Sequence, residues 1–220
     1  MLDINVEWIT RIVLWIMAIL LGLTVHEYAH AKYADWAGDP TPRSQGRVTL
    51  NPLAHLDPLG TLLIIFMAFS GYGIGWGKPV LVNPAYFRHF RRDWIMVALW
   101  GPLSNLLLAT LSAFLLRGLI SAGINPENNV FIEFLLIMVL TNVGLAVFNM
   151  VPLHPLDGSR VVAGFLPDVL DRRYWYYQTV YGPVILLVAL LVLPLFDLPN
   201  PLFRVLDRIE FFIVRHLLGL

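Results

Sequence analysis

The chain has 220 residues, of which 58% are hydrophobic and 14% charged, and its formal net charge is zero at pH 7. Its mean hydropathy of +0.70 excludes an ordinary soluble globular domain, because too few polar residues are present to cover the surface. Balanced charge gives no general attraction to nucleic acid, and the absence of cysteine excludes disulfides, thiolate metal ligands and a cysteine nucleophile. The composition therefore predicts a membrane protein.

Apolar stretches follow one another along the chain, and a helix needs about 20 apolar residues to cross a bilayer. The first covers residues 12–25 and extends to about Asp35, and the others cover residues 58–77, 94–116, 134–156 and 174–196. The first stretch lacks a small-residue cleavage site and is interpreted as a retained span rather than a signal peptide. The second is rich in glycine after Ser70 and is the weakest candidate for a full span.

Charged residues interrupt the apolar C-terminal tail at roughly helical spacing: Arg204, Asp207, Arg208 and Arg215. This pattern predicts an amphipathic helix at the membrane interface. The expected fold is an all-α polytopic membrane protein with about four transmembrane helices, a re-entrant segment with short β-strands, and this C-terminal helix. Residues 1–220 are expected to form a single domain, with a catalytic core at about 8–160 and a C-terminal span and interfacial helix at 174–220.

The motif HEYAH, residues 26–30, ends the first apolar stretch. Positions i and i+4 share one face of a helix, so His26 and His30 direct their imidazoles to one place while Glu27 lies beside them. This is the pattern of a zinc site with an adjacent general base. A chance match on a solvated helix face is the alternative, but ionisable residues inside a membrane span are rare and indicate function. Haem is a poor alternative, because histidines one turn apart cannot take opposite sides of a porphyrin.

A catalytic zinc site takes three protein ligands and keeps one position for water, so this helix lacks one ligand. The segment NMVPLHPLDGSR, residues 149–160, is the candidate source. Pro152 and Pro155 prevent a regular helix there, and irregular backbone at membrane depth is tolerated where it is buried in protein or lines a cavity. Asp157 can then turn inward as a carboxylate ligand. The alternative is that Asp157 and Gly158 form only an interfacial turn.

Together these motifs resemble the site-2 protease family of intramembrane zinc metalloproteases. The family's HExxH corresponds to HEYAH, its asparagine-proline-aspartate-glycine signature to NMVPLHPLDG, and its glycine-proline-asparagine element to GPLSN at residues 101–105. The stretches NPLAHLDPLGTL and GWGKPVLVNP are typical of a compact branch of the family without appended soluble domains.

The resemblance implies one Zn²⁺ ion per chain with the ligands His26, His30 and Asp157. It further implies Glu27 as the catalytic base, Asn149 facing the scissile carbonyl and Asn105 supporting the site. The implied function is hydrolysis of peptide bonds within or near the transmembrane segments of membrane-protein substrates. A membrane metal-ion transporter or an inactive protease-like scaffold is the alternative, although a transporter has no need of a non-ligating glutamate beside the first histidine.

Two further histidines have more than one interpretation. His154 stands where family members usually carry a proline or a small apolar residue. It could be a spare ligand, a hydrogen-bond donor to a ligand or an interfacial residue, and the last is favoured because three ligand places are already filled. His55 is a candidate site-lining residue, although the segment HLDP is also an ordinary turn.

The ligand assignment constrains the topology. His30 and Asp157 both lie at the carboxyl ends of apolar stretches, so a shared zinc ion requires those two helices to run in the same direction. One crossing must then separate them, and residues 58–77 are expected to dip into the membrane and return. Most basic residues then lie on the side of the active site, which is expected to face the cytoplasm of a prokaryotic cell membrane.

Two short segments have the composition of edge strands. GRVTLN (46–51) and KPVLVN (78–83) carry β-branched residues, and a strand edge could pair with an unwound substrate helix. A plain interfacial loop is an equally good interpretation of both.

Overall fold

The computed structural model describes residues 6–70, 75–127, 129–196 and 198–220. Within these ranges the chain forms α-helices joined mostly by short loops. The helices are α1 (Val6–Ala37), α2 (Thr41–Ser44), α3 (Pro58–Ser70), α4 (Phe90–Ser121), α5 (Val130–Asn149), α6 (Asp157–Phe165), α7 (Asp168–Leu187), α8 (Leu193–Leu195) and α9 (Pro201–Leu218). A π-helical stretch, Val188–Val192, joins α7 to α8.

Four helices in the described ranges are long and apolar enough to cross a membrane. They are α1, α4, α5 and the continuous helix Val169–Leu195 formed by α7 and α8. At a rise of about 1.5 Å per residue, even the shortest of them matches a hydrocarbon core about 30 Å thick. The prediction of an integral, multi-pass, all-α membrane protein with about four spans is confirmed.

Helices α1 and α5 run in the same direction. Arg11 near the start of α1 pairs with Glu133 near the start of α5 at 2.8 Å. Further along both helices, Gly22 lies against Asn142. Their carboxyl ends therefore reach the same end of the bundle.

Helix α4 lies between them and runs the other way. Near its start, Val97 contacts His30 at the end of α1, whereas Asn105 further along α4 contacts the earlier residue Gly22. A single crossing thus separates α1 from α5. This is the arrangement that a metal ion shared by the two carboxyl ends requires.

The segment between α1 and α4 begins and ends at neighbouring positions on the bundle. The backbone N–H of Arg88 donates to the carbonyl of Ala37 at 3.1 Å. Within this segment, Leu56 and Gly77 form an isolated antiparallel bridge. The two ends of the segment that contains α3 therefore lie side by side. Residues 71–74, the glycine-rich part of the predicted re-entrant stretch, lie outside the described residues.

The expected short strands are not formed in the described chain. Residues 46–51 and 78–83 are loops. The reason is that side chains take the backbone groups a ladder would use: Arg47 donates to Lys78 O, Val80 N donates to Glu27, and Asn83 N donates to Asp39.

Helix α9 is amphipathic as predicted, but it does not lie across the end of the bundle as an interfacial helix would. Ile213 and Leu217 pack against a buried cluster contributed by α4 and α5, and Glu210 lies beside Gly144. Small residues on α4 and α5 leave a groove that admits the apolar face of α9. Close packing in this groove accounts for the difference from the expected placement.

Candidate metal centre

Three side chains predicted to bind a metal meet at one point. His26 and His30 lie one turn apart near the end of α1, and Asp157 is the first residue of α6. The Nε2 atoms of the two histidines are 3.0 Å apart, and each lies 3.2 Å from Asp157 Oδ2. All three side chains are buried. They form a group that could hold a metal ion.

The donor set fits a divalent cation. In His26 the Nδ1 atom bonds Asn105 Oδ1, and in His30 it bonds the Val97 carbonyl, both at 2.6 Å. Each Nδ1 therefore donates to its acceptor, which leaves each Nε2 available to offer a lone pair to a metal ion beside the Asp157 carboxylate. Tetrahedral zinc places neighbouring ligand atoms about 3.3 Å apart, close to the separations in this cluster. A cation satisfies three electron-rich atoms that otherwise repel one another.

Two buried amides hold His26 in this tautomer. Asn105 Nδ2 donates to Gly22 O at 3.0 Å and to Asn142 Oδ1 at 2.8 Å, which turns Asn105 Oδ1 towards His26. Asn142 Nδ2 in turn donates to Met138 O at 2.9 Å. Such partners fix the orientation of a metal-binding imidazole. The support that was expected from Asn105 is therefore extended by Asn142, which the sequence reasoning missed.

Helix α4 approaches the two imidazoles at Gly101, the first residue of GPLSN. A methyl group built on Gly101 would overlap His30 Nε2 and lie 2.7 Å from His26 Cε1. Only glycine admits both rings at this point. The sequence marked Gly101 as part of a family motif but did not assign it this role.

Glu27 lies beside the ligand group. Its Oε2 accepts a hydrogen bond from the backbone N–H of Val80 at 3.2 Å. Glu27 and the three candidate ligands line a cavity of about 100 Å³ together with Val80 and Asn149. The Asn149 side chain reaches the cavity, although its Nδ2 donates to Leu145 O of its own helix at 2.9 Å. The cavity therefore brings together the predicted base, the predicted ligands and the predicted carbonyl-facing amide.

Arg160 adds a positive charge to the cavity wall. Its Nη1 lies 3.7 Å from Asp157 Oδ1, and its guanidinium lies 5.8 Å from the Trp94 ring centre. The sequence reasoning assigned Arg160 no role in the site. Its spacing of i+3 from Asp157 was the available signal, because residues three apart on a helix are neighbours.

The two ambiguous histidines lie outside the group that could hold a metal. His55 is buried, and its Nε2 bonds the Thr49 carbonyl at 2.7 Å. Burial lowers the pKa of the His55 imidazole and so favours its neutral form. The His154 ring packs edge-on against Trp175, with the ring centres 5.9 Å apart.

Comparison with known proteins decides the family. A sequence profile of Peptidase family M50 matches residues 119–193. YwhC of Bacillus subtilis (strain 168), provisionally named a zinc metalloprotease, is 37% identical over 183 residues, which cover 82% of this chain and 80% of YwhC. The chain belongs to Peptidase family M50. This is the site-2 protease family, so the resemblance inferred from the motifs is confirmed.

Two further relatives have lower sequence identity to this chain and are also named as zinc metalloproteases. Rip2 of Mycolicibacterium smegmatis and Rip2 of Mycobacterium tuberculosis, also provisionally named zinc metalloproteases, are each 32% identical to this chain, over 139 and 155 residues. The matches cover 63% and 70% of this chain but only 52% and 57% of the two relatives. No solved structure matches the chain.

Family membership and the four apolar helices together make this M50 protein an intramembrane zinc metallopeptidase. It is an integral membrane protein that sits in the lipid bilayer. The metal transporter and the inactive scaffold considered from the sequence are not favoured.

Proposed function

We propose that this M50 protein hydrolyses peptide bonds within or near the transmembrane segments of membrane-protein substrates. One zinc ion per chain is bound by His26, His30 and Asp157. The observation that carries the proposal is the convergence of these three buried ligand atoms beside Glu27, inside a bundle of membrane-spanning length. Burying several ionisable groups at membrane depth is costly, and groups buried there mark a functional site.

The roles of the chain's own residues follow from their positions. A bound zinc ion supplies a Lewis acid that lowers the pKa of water towards ~7. Glu27 takes the proton from the attacking water through a carboxylate oxygen and gives it to the leaving amine. Asn149 lines the same cavity, and its amide donates to the scissile carbonyl as that oxygen gains negative charge. Asn149 must first release Leu145 O.

Substrate helices must unwind before attack, because a helical peptide bond is shielded by its own hydrogen bonds. The freed backbone then needs new partners. We propose the loop 78–83 as their source. In the described structure the N–H groups of Leu81 and Val82 have no hydrogen-bond partner, and Val80 and Val82 line the cavity. Pairing with an extended substrate would convert this loop into the short strand expected from its composition.

The membrane placement is part of the same proposal. Residues 58–77 enter and leave the bilayer from one face, which the pairing of Leu56 with Gly77 supports. Helix α3 has 13 residues, so at about 1.5 Å per residue it is too short for a 30 Å core. The active-site face is cytoplasmic in a prokaryotic cell membrane, because most basic residues lie at that end. Residues 1–220 act as one intramembrane protease domain.

Cleavage of a labelled transmembrane peptide in proteoliposomes tests the function. Glu27→Gln keeps the size of the side chain but removes its proton acceptor. We expect cleavage to fall by at least about 100-fold, while zinc stays near one ion per chain because Glu27 is not a ligand. Loss of zinc from Glu27→Gln would contradict the assignment of Glu27 as the base. Undiminished cleavage would do the same.

A further inference from the structure

The loop between α5 and α6, residues 150–156, pairs all of its backbone N–H groups. Pro152 and Pro155 have no N–H to offer. Several others donate to carbonyls within the loop or at the end of α5: those of Met150, Val151, Leu153 and Leu156. The N–H of His154 is the remaining one, and its acceptor lies outside the loop. It donates to Oε1 of Gln178, in the middle of α7, at 2.8 Å.

Gln178 also holds the other side of the loop. Its Nε2 donates to the carbonyl of Pro152 at 3.0 Å. One side-chain amide thus pairs with one donor and one acceptor of the same irregular segment. Unpaired backbone groups at membrane depth are strongly unfavourable, so this amide replaces hydrogen bonds that a helix would have made internally.

The surface of α7 around Gln178 fits the loop at His154. Gly182 lies one turn further along, and a methyl group built on it would lie 2.7 Å from His154 O. Trp175 lies one turn earlier and contacts the His154 ring. Spacings of three and four residues place Trp175, Gln178 and Gly182 on one face of α7. The three residues enclose the loop from one side.

Asp157 follows this loop directly, so the path of the loop decides where its carboxylate lies. Gly158, the next residue, lies so close to the Met150 carbonyl that any Cβ would overlap it. The loop therefore turns back on its own beginning. A movement of the loop away from α7 would break both hydrogen bonds of Gln178, which therefore oppose it.

We propose that Gln178 is a positioning residue of the metal centre. Its amide holds the loop 150–156 in place and thereby keeps the Asp157 carboxylate beside His26 and His30. This inference rests on the proposed role of Asp157 as a ligand. It makes α7, which carries none of the motifs, a part of the metal-binding unit.

Two substitutions at Gln178 and one control distinguish loss of the Gln178 hydrogen bonds from a general weakening of α7. Gln178→Met removes both hydrogen bonds at similar length, and Gln178→Glu keeps the acceptor for His154 N–H but loses the donor to Pro152. Thr179→Val is the matched control, because Thr179 is exposed and its Oγ1 bonds only carbonyls of its own helix. For each full-length variant, zinc retention is measured against graded chelator, and hydrogen exchange is measured at the His154 amide.

For Gln178→Met we expect zinc affinity to fall by about 10-fold to 100-fold and the His154 amide to exchange faster. The zinc affinity and the His154 exchange rate of Gln178→Glu should lie between those of Gln178→Met and the wild type. Both quantities should be unchanged in Thr179→Val. Wild-type zinc affinity and exchange in Gln178→Met would overturn the proposal. Equal losses in Thr179→Val would overturn it too, because they would indicate a general weakening of α7.

Asp157→Ala, measured in parallel, separates this inference from the proposed function. If Asp157→Ala keeps zinc, the ligand assignment fails, and with it the link from Gln178 to the metal. If Asp157→Ala loses zinc while Gln178→Met keeps it, the ligand assignment stands and only the positioning role of Gln178 is wrong.

Discussion

At the scale of single residues, Gly101 matters to the metal centre because it has no side chain. Its position on α4 brings the backbone against the imidazoles of His26 and His30. Gly118 on the same helix has no atom within 4 Å of an added methyl group. The two glycines therefore differ in surroundings but not in secondary structure.

Gly101→Ala should displace both histidines, because the new methyl group overlaps one ring and crowds the other. We expect overpacking to lower the free energy of unfolding by about 1–3 kcal/mol. Zinc affinity should fall at least about 10-fold. Gly118→Ala should keep zinc and have equal or slightly higher stability, since alanine is the better helix former by about 1 kcal/mol. Thermal unfolding and zinc content measure both effects. Full zinc binding by Gly101→Ala would show that the rings have space to move.

Asn142 acts on His26 through Asn105, and its neighbour provides a control. Asn142→Leu removes the acceptor that orients the Asn105 amide, so His26 loses its fixed tautomer. We expect a fall in zinc affinity of about 10-fold to 100-fold. Thr141→Val should have little effect, because the buried Thr141 hydroxyl has no partner in the described structure. Chelator competition measures the affinities, and equal behaviour of the two variants would contradict the role of Asn142.

At the scale of elements, the loop 78–83 is held by side chains and leaves some backbone groups free. Val82→Pro deletes an N–H that bonds nothing in the described structure, so zinc content and folding should be unchanged. Cleavage of a transmembrane peptide should fall if an unwound substrate pairs with this loop. Val82→Ala is the control, since it shortens the side chain but keeps the N–H.

The outcome is measured as kcat/KM for one labelled peptide. Equal values for Val82→Pro and Val82→Ala would indicate that the backbone of Val82 does not bind the substrate. A loss of zinc in Val82→Pro would mean that proline disturbs the site itself. Strand addition would then need a different test position.

At the scale of the whole molecule, both ends of the segment between α1 and α4 should lie on one membrane face. Single cysteines are clean probes, because the chain has none of its own. Cysteines at Ser44 and His89 should react with an impermeant maleimide in inside-out vesicles and resist it in right-side-out vesicles. A cysteine at Glu127, in the turn between α4 and α5, should show the reverse.

Labelling of Ser44 and His89 from opposite faces would mean that residues 58–77 cross the membrane. Asp157 would then emerge on the face opposite His30, and the three candidate ligands could not share one ion. Labelling of both from the outside would leave the site intact but reverse its proposed orientation.

The sequence by itself determined what depends on local geometry and chemistry. The 3.6-residue period of a helix places His26 and His30 on one face wherever that helix lies, and apolar length predicts the spans. The inward turn of Asp157 followed from two prolines and the need for a third ligand. Even the direction of α5 relative to α1 followed, because a shared ion allows only one arrangement.

The tertiary structure decided what depends on contacts between distant segments. The pairing of Asn105 with Asn142, the closeness of Gly101 to both rings and the two bonds of Gln178 join residues from different helices. The packing of α9 along α4 and α5 has the same origin. A periodic pattern specifies which face of a helix is apolar but not which neighbour covers that face, because coverage depends on the shapes of both surfaces. Strands failed to form at 78–83 for a related reason, since carboxylates and a guanidinium from elsewhere took the backbone groups.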